Sequence, residues 1–130
     1  MNPLLFLDTD CGFLTILAQD LPGLEVQDRQ TKQWTSVKPL EDAFVVNLGD
    51  MAARWTNDAY TSTKHRVYNT NESTRYSVPF FCNCNFDAPV KCILDNGGKN
   101  KNNQQEEAKY EPTTAGTYIL GRLGLMRLVK

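Results

Sequence analysis

Short β segments follow one another along this chain without a long helix between them, and this feature most limits how the chain can fold. Parallel strands need a long crossover connection, usually a helix, whereas antiparallel strands need only a turn. The pattern therefore predicts an antiparallel sandwich or barrel. Apolar or alternating segments bounded by turn residues cover 13–19, 24–27, 34–37, 43–48, 65–68, 75–83 and 86–94.

Local patterns refine this prediction. Residues 24–27 and 34–37 alternate apolar with polar side chains around a polar stretch, which is typical of a hairpin. Residues 51–55 indicate a short helical turn, and Pro89 moves the last segment towards a sheet edge. The aromatic residues are expected in the core, where they would supply much of the buried area; they are Trp34, Trp55, Tyr76, Phe80 and Phe81.

The composition changes at Asp95, where a tract rich in Asn and Gln begins. We expect residues 95–112 to form a polar, mobile loop and residues 113–130 to form an amphipathic C-terminal helix that packs on the barrel. The helix prediction rests on the near-helical spacing of Ile119, Leu120, Leu123 and Met126. The 130 residues then make one domain, with the barrel portion in residues 1–94.

Charge and hydropathy exclude several classes of partner. The 14 Lys and Arg are scattered among 15 Asp and Glu for a net charge of −1, so no basic stripe predicts nucleic-acid binding. No apolar stretch approaches the roughly 18 residues that span a bilayer, and residues 1–7 lack the features of a signal peptide. We expect a cytoplasmic protein that binds neither nucleic acid nor membrane.

Four cysteines allow three interpretations. Cys11, Cys82, Cys84 and Cys92 could form two disulfides, contribute to a zinc site, or remain buried thiols. The thiols of Cys82 and Cys84 lack the two-residue spacer of a zinc knuckle, and the chain has one histidine. Buried thiols that act as small apolar residues are the favoured interpretation.

Two groups of polar side chains could carry chemistry. Asp8 and Asp10 precede the first strong β segment with the spacing that puts two side chains on one face, and the single histidine, His65, opens a later segment. Arg75 and Ser77 share a face of the next segment, where an arginine fork and a hydroxyl suit a carboxylate. Taken alone, each residue also fits a plain role in a turn, in packing or in a surface ion pair.

The order of several motifs adds a family resemblance. Residues 8–20 resemble the segment His-Thr-Asp-x-Gly-x-Leu-Thr-Ile-Leu-x-Gln-Asp of the isopenicillin-N-synthase-like branch of the iron(II)- and 2-oxoglutarate-dependent oxygenases. The resemblance implies a mainly β, cupin-like jelly roll, the double-stranded β-helix, with a C-terminal helix. Further stretches resemble the family in order: 45–50, 55–57, 62–67, 75–81 and 110–120.

The resemblance also implies roles for the polar residues. Asp10 and His65 would bind iron(II), with Asp8 as a third ligand, and Arg75 with Ser77 would hold the co-substrate 2-oxoglutarate. No catalytic residue is expected beyond this metal centre. The implied activity is that of a dioxygenase-type oxidoreductase acting on a small organic molecule.

Two departures from the family pattern define the alternatives. Asp8 stands where the family has histidine, which replaces a neutral nitrogen donor by a charged oxygen and favours harder metals. The chain also begins at this motif, so the barrel is expected to be incomplete at its N-terminus and to self-associate through an exposed edge. The alternatives are a non-catalytic pseudoenzyme or gene-product fragment and, as a third class, a metal-free sugar- or ligand-binding jelly roll.

Overall fold

A computed structural model describes residues 6–68, 73–93 and 107–124, and of residues 6–8 the backbone alone. Nine short strands and two helices make up these residues. They are β1 (Phe6–Asp8), β2 (Leu14–Gln19), β3 (Leu24–Gln27), β4 (Trp34–Val37), β5 (Val45–Leu48), α1 (Asp50–Trp55), β6 (His65–Val67), β7 (Ser77–Cys82), β8 (Pro89–Val90), β9 (Thr113–Thr114) and α2 (Ala115–Arg122).

Two antiparallel sheets face each other across a cavity. One has the strand order β1-β6-β3-β4 and the other β5-β2-β7, while β8 and β9 form a small separate pair. Every strand pairing within the described residues is antiparallel, as the absence of crossover helices predicts. The β3–β4 hairpin has the predicted bounds, whereas β1 was not predicted.

Strand alternation decides which side chains reach the cavity. Thr15 in the central strand β2 lies opposite Asn47 of β5, and Gln19 lies opposite Ser77 of β7. Side chains of directly paired residues share one face of a sheet. The polar residues of these apolar strands are therefore gathered on the inner face, and Thr15, Asn47 and Ser77 line the cavity.

The outer face of the same sheet is apolar and exposed. Val46, Val78 and Phe80 alternate with the inward-facing residues and are 60 to 68% exposed. The prediction that the aromatic residues form the core is wrong for Tyr76, Phe80 and Phe81, which are 69, 65 and 55% exposed. Alternation points Phe80 away from the cavity, and no described element covers that face.

The buried apolar core lies at one end of the sheets. Met51 of α1, Val90 of β8 and Ala115 of α2 pack together, with Trp55 and Tyr118 half-buried against them. The C-terminal helix is confirmed, and Thr114 caps it because its Oγ1 accepts a hydrogen bond from the Thr117 amide at 3.2 Å.

The predicted division into barrel, loop and C-terminal helix stays a prediction. Residues 95–106 of the predicted loop and residues 125–130 of the predicted helix lie outside the described residues. The described part contains no helix long and apolar enough to cross a membrane.

Helix α2 contacts both the start of α1 and the segment that precedes β2. The Tyr118 hydroxyl donates to Asp50 Oδ2 at 2.8 Å, and Arg122 Nε lies 3.6 Å from the same oxygen. Arg122 also donates from a terminal nitrogen to Thr9 Oγ1 at 3.1 Å. The C-terminal helix thus contacts the segment that carries Asp10.

Tyr118→Phe should change how stability depends on pH in the alkaline range. Burial, together with the hydrogen bond to Asp50, raises the pKa of Tyr118 to about 12, above the value of about 10 for an unfolded tyrosine. The folded state binds this proton more tightly, so its stabilising contribution is complete below pH ~10 and lost as the pH rises to ~12. Urea midpoints between pH 8 and 12 should fall less steeply in Tyr118→Phe.

The matched control for this measurement is Tyr60→Phe, since Tyr60 is 62% exposed. The urea midpoint of Tyr60→Phe should depend on pH in the same way as that of the parent protein. If the urea midpoints of the parent and of Tyr118→Phe fell equally steeply between pH 10 and 12, the proposed link between Tyr118 ionisation and stability would be contradicted.

Candidate metal and co-substrate site

A cavity of about 170 Å³ between the two sheets brings together four residues singled out in the sequence. Asp10 and His65 line it beside one another, and Arg75 and Ser77 line it as well. Asp10 lies in the segment before β2, His65 and Ser77 begin β6 and β7, and Arg75 lies two residues before β7. The structure therefore places them in one cavity, while their roles as ligands stay predictions.

Asp10 uses its two carboxylate oxygens differently. Oδ2 accepts hydrogen bonds from Thr15 Oγ1 at 2.6 Å and from Asn47 Nδ2 at 2.7 Å. Oδ1 faces His65, with 3.8 Å between it and Nε2. Donors that occupy one oxygen orient the other, as the outer partners of metal-binding carboxylates do.

His65 presents Nε2 to the cavity because its other ring nitrogen is occupied. Nδ1 lies 3.2 Å from the backbone carbonyl oxygen of Thr63. A carbonyl oxygen can only accept, so this contact assigns the proton to Nδ1 in the neutral ring. Nε2 then keeps a lone pair towards Asp10 Oδ1, which is the form in which imidazole binds a metal.

The segment that carries Asp10 is held by the start of α1. The first amides of a helix lack partners within it, and here they donate to that segment. Asp50 N donates to the Asp10 carbonyl at 2.7 Å, and Met51 N to that of Gly12 at 3.0 Å. The adjacent Gly49 N donates to the Phe13 carbonyl at 2.8 Å. These bonds connect the position of Asp10 to the buried end of the molecule.

Asp8 is described only through its backbone. In the β1–β6 pairing, Asp8 lies directly opposite His65, and its side chain lies outside the described part. Among the side chains that are described, no group of three or more His, Cys, Asp or Glu residues could hold a metal ion. The described donors are thus one imidazole nitrogen and one carboxylate.

Arg75 is fixed by three contacts. Its Nε donates to the Leu21 carbonyl at 3.1 Å, and its terminal nitrogens donate to Ser77 Oγ and to Gln19 Oε1, each at 3.0 Å. A guanidinium has five N–H donors, so two remain for a ligand. Gly23, at φ 145°, leaves the space for Arg75, since a Cβ there would lie 3.0 Å from Arg75 Cδ.

Thr15, Asn47 and Gln19 were missed as site residues by the sequence reasoning. Each is a polar residue within an otherwise apolar strand. Because alternate side chains of a strand share a face, Thr15 and Gln19 lie on the same face of β2. This alternation was the sequence signal that could have identified them. Only the strand pairing shows that Asn47 joins them.

The cysteines were expected to be buried thiols, but Cys11, Cys82 and Cys84 are only partly buried. Cys11, Cys82 and Cys84 form no disulfide, and Cys84 Sγ lies 3.9 Å from Met51 Sδ. Burial raises the pKa of both Cys11 and Cys84, which keeps these thiols protonated at neutral pH.

Two facing antiparallel sheets, with a His–carboxylate pair and an Arg–Ser pair in the cavity between them, define a jelly roll of the oxygenase type. The chain belongs to the 2OG-Fe(II) oxygenase superfamily, because the model of that family matches residues 4–84. Its fold is the double-stranded β-helix that the resemblance implied.

Individual relatives agree with this assignment. The 2-oxoglutarate-Fe(II) type oxidoreductase hxnY of Emericella nidulans is 42% identical over 114 residues, which are 87% of this chain and 31% of that protein. The 2-oxoglutarate-dependent dioxygenase citB of Monascus ruber is 47% identical over 117 residues, covering 86% and 35%. The chain therefore spans about a third of the length of these relatives.

A solved structure shows the same likeness in three dimensions. The crystal structure of the dioxygenase for auxin oxidation in rice superposes with a TM-score of 0.82 at 31% identity. The match covers 94% of this chain and 40% of that one.

Gly49→Ala should disturb the site through the backbone. A Cβ at this position would overlap the Gly12 carbonyl oxygen and lie 2.7 Å from that of Asp10. Overpacking of this kind costs about 1–3 kcal/mol, so urea unfolding should show a loss of that size. Amide NMR shifts should move at residues 10–13.

Gly121→Ala is the control for that substitution, because Gly121 is an exposed helical position. It should leave stability unchanged or raise it by up to ~1 kcal/mol. If Gly49→Ala were as stable as the parent and its shifts unmoved, the amides of α1 would not be what holds Asp10.

Proposed function

We propose that this chain is the catalytic domain of an oxidoreductase that uses iron(II) and 2-oxoglutarate to oxidise a small organic molecule. The observation that carries the proposal is the shared cavity of Asp10, His65, Arg75 and Ser77. The names of the relatives, a 2-oxoglutarate-Fe(II) type oxidoreductase and a 2-oxoglutarate-dependent dioxygenase, support it.

The donor set fits iron(II). Asp10 Oδ1 and His65 Nε2 lie 3.8 Å apart, and each belongs to a side chain whose other polar atom is already hydrogen-bonded. One imidazole and one carboxylate supply two of the three protein ligands in the facial arrangement of non-haem iron oxygenases. Asp8, opposite His65 in the strand pairing, is proposed as the third, a carboxylate where that arrangement has a second imidazole.

The other polar pair in the cavity fits a carboxylate. Two N–H groups of Arg75 remain after its contacts, and Ser77 lies on the same face two residues on. Leu24, Val67 and Leu17 contribute apolar wall, where a charge-assisted hydrogen bond is stronger than in water. At about 170 Å³ the cavity is smaller than the ~300–1,000 Å³ of drug-sized pockets, which favours a small diacid.

The chain's own residues then act by positioning. The bound iron and co-substrate would supply the oxidising chemistry. His65 and Asp10 would present their donor atoms without rearrangement, because Thr63, Thr15 and Asn47 already hold them. Arg75 and Ser77 would orient the far carboxylate of the co-substrate, and the apolar wall would exclude water.

The test is iron(II) binding and succinate release by the purified chain with ascorbate and 2-oxoglutarate. The parent should bind iron(II), and 2-oxoglutarate should tighten that binding. His65→Ala should abolish binding, and Arg75→Gln should lower affinity for 2-oxoglutarate by about tenfold or more. Lys91→Gln, at an exposed position, is the control. Iron binding without any succinate would defeat the proposal.

The pseudoenzyme alternative predicts a different outcome for one substitution. If Asp8 alone disables the site, Asp8→His should bind iron(II) more tightly and release succinate where the parent does not. Succinate release by the parent would rule this alternative out. The metal-free alternative predicts tight ligand binding by chelator-treated protein and no effect of His65→Ala.

Self-association, which the sequence predicted through an exposed edge, is proposed here through the apolar outer face of one sheet. Val46, Val78 and Phe80 expose apolar surface on one sheet, and contiguous patches of this kind favour association. Sedimentation velocity over a concentration series should show oligomers for the parent and fewer for Val78→Thr with Phe80→Ser. An exposed control change, Thr117→Ser on α2, should have no effect. A parent that stays monomeric throughout would contradict this.

A further inference from the structure

A second, larger cavity opens beside the first. It has a volume of about 630 Å³, within the range of pockets that hold drug-sized ligands. Val26 and Thr63 line both cavities. Thr63 is also the residue whose carbonyl holds His65, so a molecule in the larger cavity adjoins the proposed metal site.

The walls of this larger cavity are basic. Arg29, Lys32 and Lys64 line it, and none of them forms an ion pair within the part of the chain that the structure describes. Other described cations do have acidic partners, such as Arg66, which lies 2.6 Å from Glu25. The wall of the cavity therefore carries more positive than negative charge.

Asp28, the acid in the wall of the larger cavity, already accepts several hydrogen bonds. Oδ1 of Asp28 accepts hydrogen bonds from the amides of Gln30 and Thr31 at 2.9 and 2.6 Å and from Thr31 Oγ1 at 2.9 Å. The amide of Thr31, more than any other group, lowers the pKa of Asp28. Asp28 thus shapes the turn, and the cavity wall keeps a formal charge of +2 from three cations and one anion.

The basic residues sit on backbone that is tied together. Gln27 N donates to the Lys64 carbonyl at 2.8 Å, and Gln27 Nε2 donates to the Lys32 carbonyl at 3.1 Å. These bonds join the β3–β4 loop to the segment that precedes His65. The backbone at Lys32 and Lys64 is therefore tied to β3, which pairs with the strand that begins at His65.

The wall also contains a polar atom without a described partner. Ser62 Oγ is buried and forms no hydrogen bond to any described atom, and Ser62 lines the cavity. Buried polar atoms are nearly always hydrogen-bonded. Ser62 Oγ is therefore an unsatisfied hydrogen-bonding group beside this cavity.

We propose that the larger cavity binds the primary substrate and that this substrate is an organic anion whose carboxylate or phosphate group contacts Arg29 and Lys32. This inference rests on the proposed function. The anionic group would anchor one end, and the uncharged part of the molecule would extend past Val26 and Thr63 towards His65. Specificity then comes from the charge at the outer end of the cavity.

The test is direct binding to chelator-treated protein, so that it does not depend on iron or turnover. The probes share a phenyl ring: phenylacetate, phenyl phosphate and the neutral phenylacetamide, each titrated by ligand-observed NMR. At least one anion should bind about tenfold more tightly than the amide, the ratio expected for one charge-assisted contact. The tighter anion identifies the group.

Matched variants locate the binding. Arg29→Gln with Lys32→Gln should abolish the preference for the anion, whereas Lys38→Gln with Lys91→Gln, an equal charge change at exposed positions, should preserve it. Arg75→Gln should also preserve it, which separates this cavity from the co-substrate end. The proposal would be overturned if the amide bound as tightly as the anions, or if no probe bound. It would also be overturned if Arg75→Gln or the Lys38/Lys91 variant lost the preference for the anion.

These outcomes are distinct from those that test the proposed function. Succinate release without anion preference would leave the oxygenase proposal standing and remove the substrate proposal. Anion preference without succinate release or iron binding would remove the oxygenase proposal and support a binding role for the larger cavity.

Discussion

The hydrogen bonds between the start of α1 and the segment that carries Asp10 are the interaction on which the site depends. Amides at the start of a helix need partners outside it, and the amides of Asp50 and Met51 find them in the carbonyls of Asp10 and Gly12. Met51 is also fully buried. The same helix therefore bonds to the segment that carries Asp10 and packs into the core. The backbone of Asp10 is thus tied to the most buried part of the described structure.

Two adjoining cavities have different walls. In the smaller one, apolar side chains surround a few polar groups, and those groups are already oriented by neighbours such as Thr15 and Thr63. In the larger one, Arg29, Lys32 and Lys64 leave positive charge near solvent. The smaller cavity therefore suits a bound metal and co-substrate. The larger cavity suits a molecule that must enter and leave.

Several elements could be predicted from the sequence because their signals are local. The hairpin 24–27 and 34–37 follows from alternation around a polar stretch, and α2 from the near-helical spacing of its apolar residues. The order of motifs identified the family, and it named Asp10, His65, Arg75 and Ser77. The core prediction was wrong for Tyr76, Phe80 and Phe81, because composition does not say which face of a strand is covered. Thr15, Asn47 and Gln19 were missed because their importance comes from partners on other strands.

The sequence by itself determined the antiparallel class, the family and the candidate ligands, since periodicity and motif order are properties of a linear chain. The tertiary structure decided which Asp10 oxygen is free, which nitrogen of His65 faces it, and which faces remain exposed. Those outcomes depend on hydrogen bonds and strand registers between residues far apart in the chain, such as Asn47 to Asp10 and Gln19 to Arg75. A linear pattern cannot contain them, because they exist only once the sheets have paired.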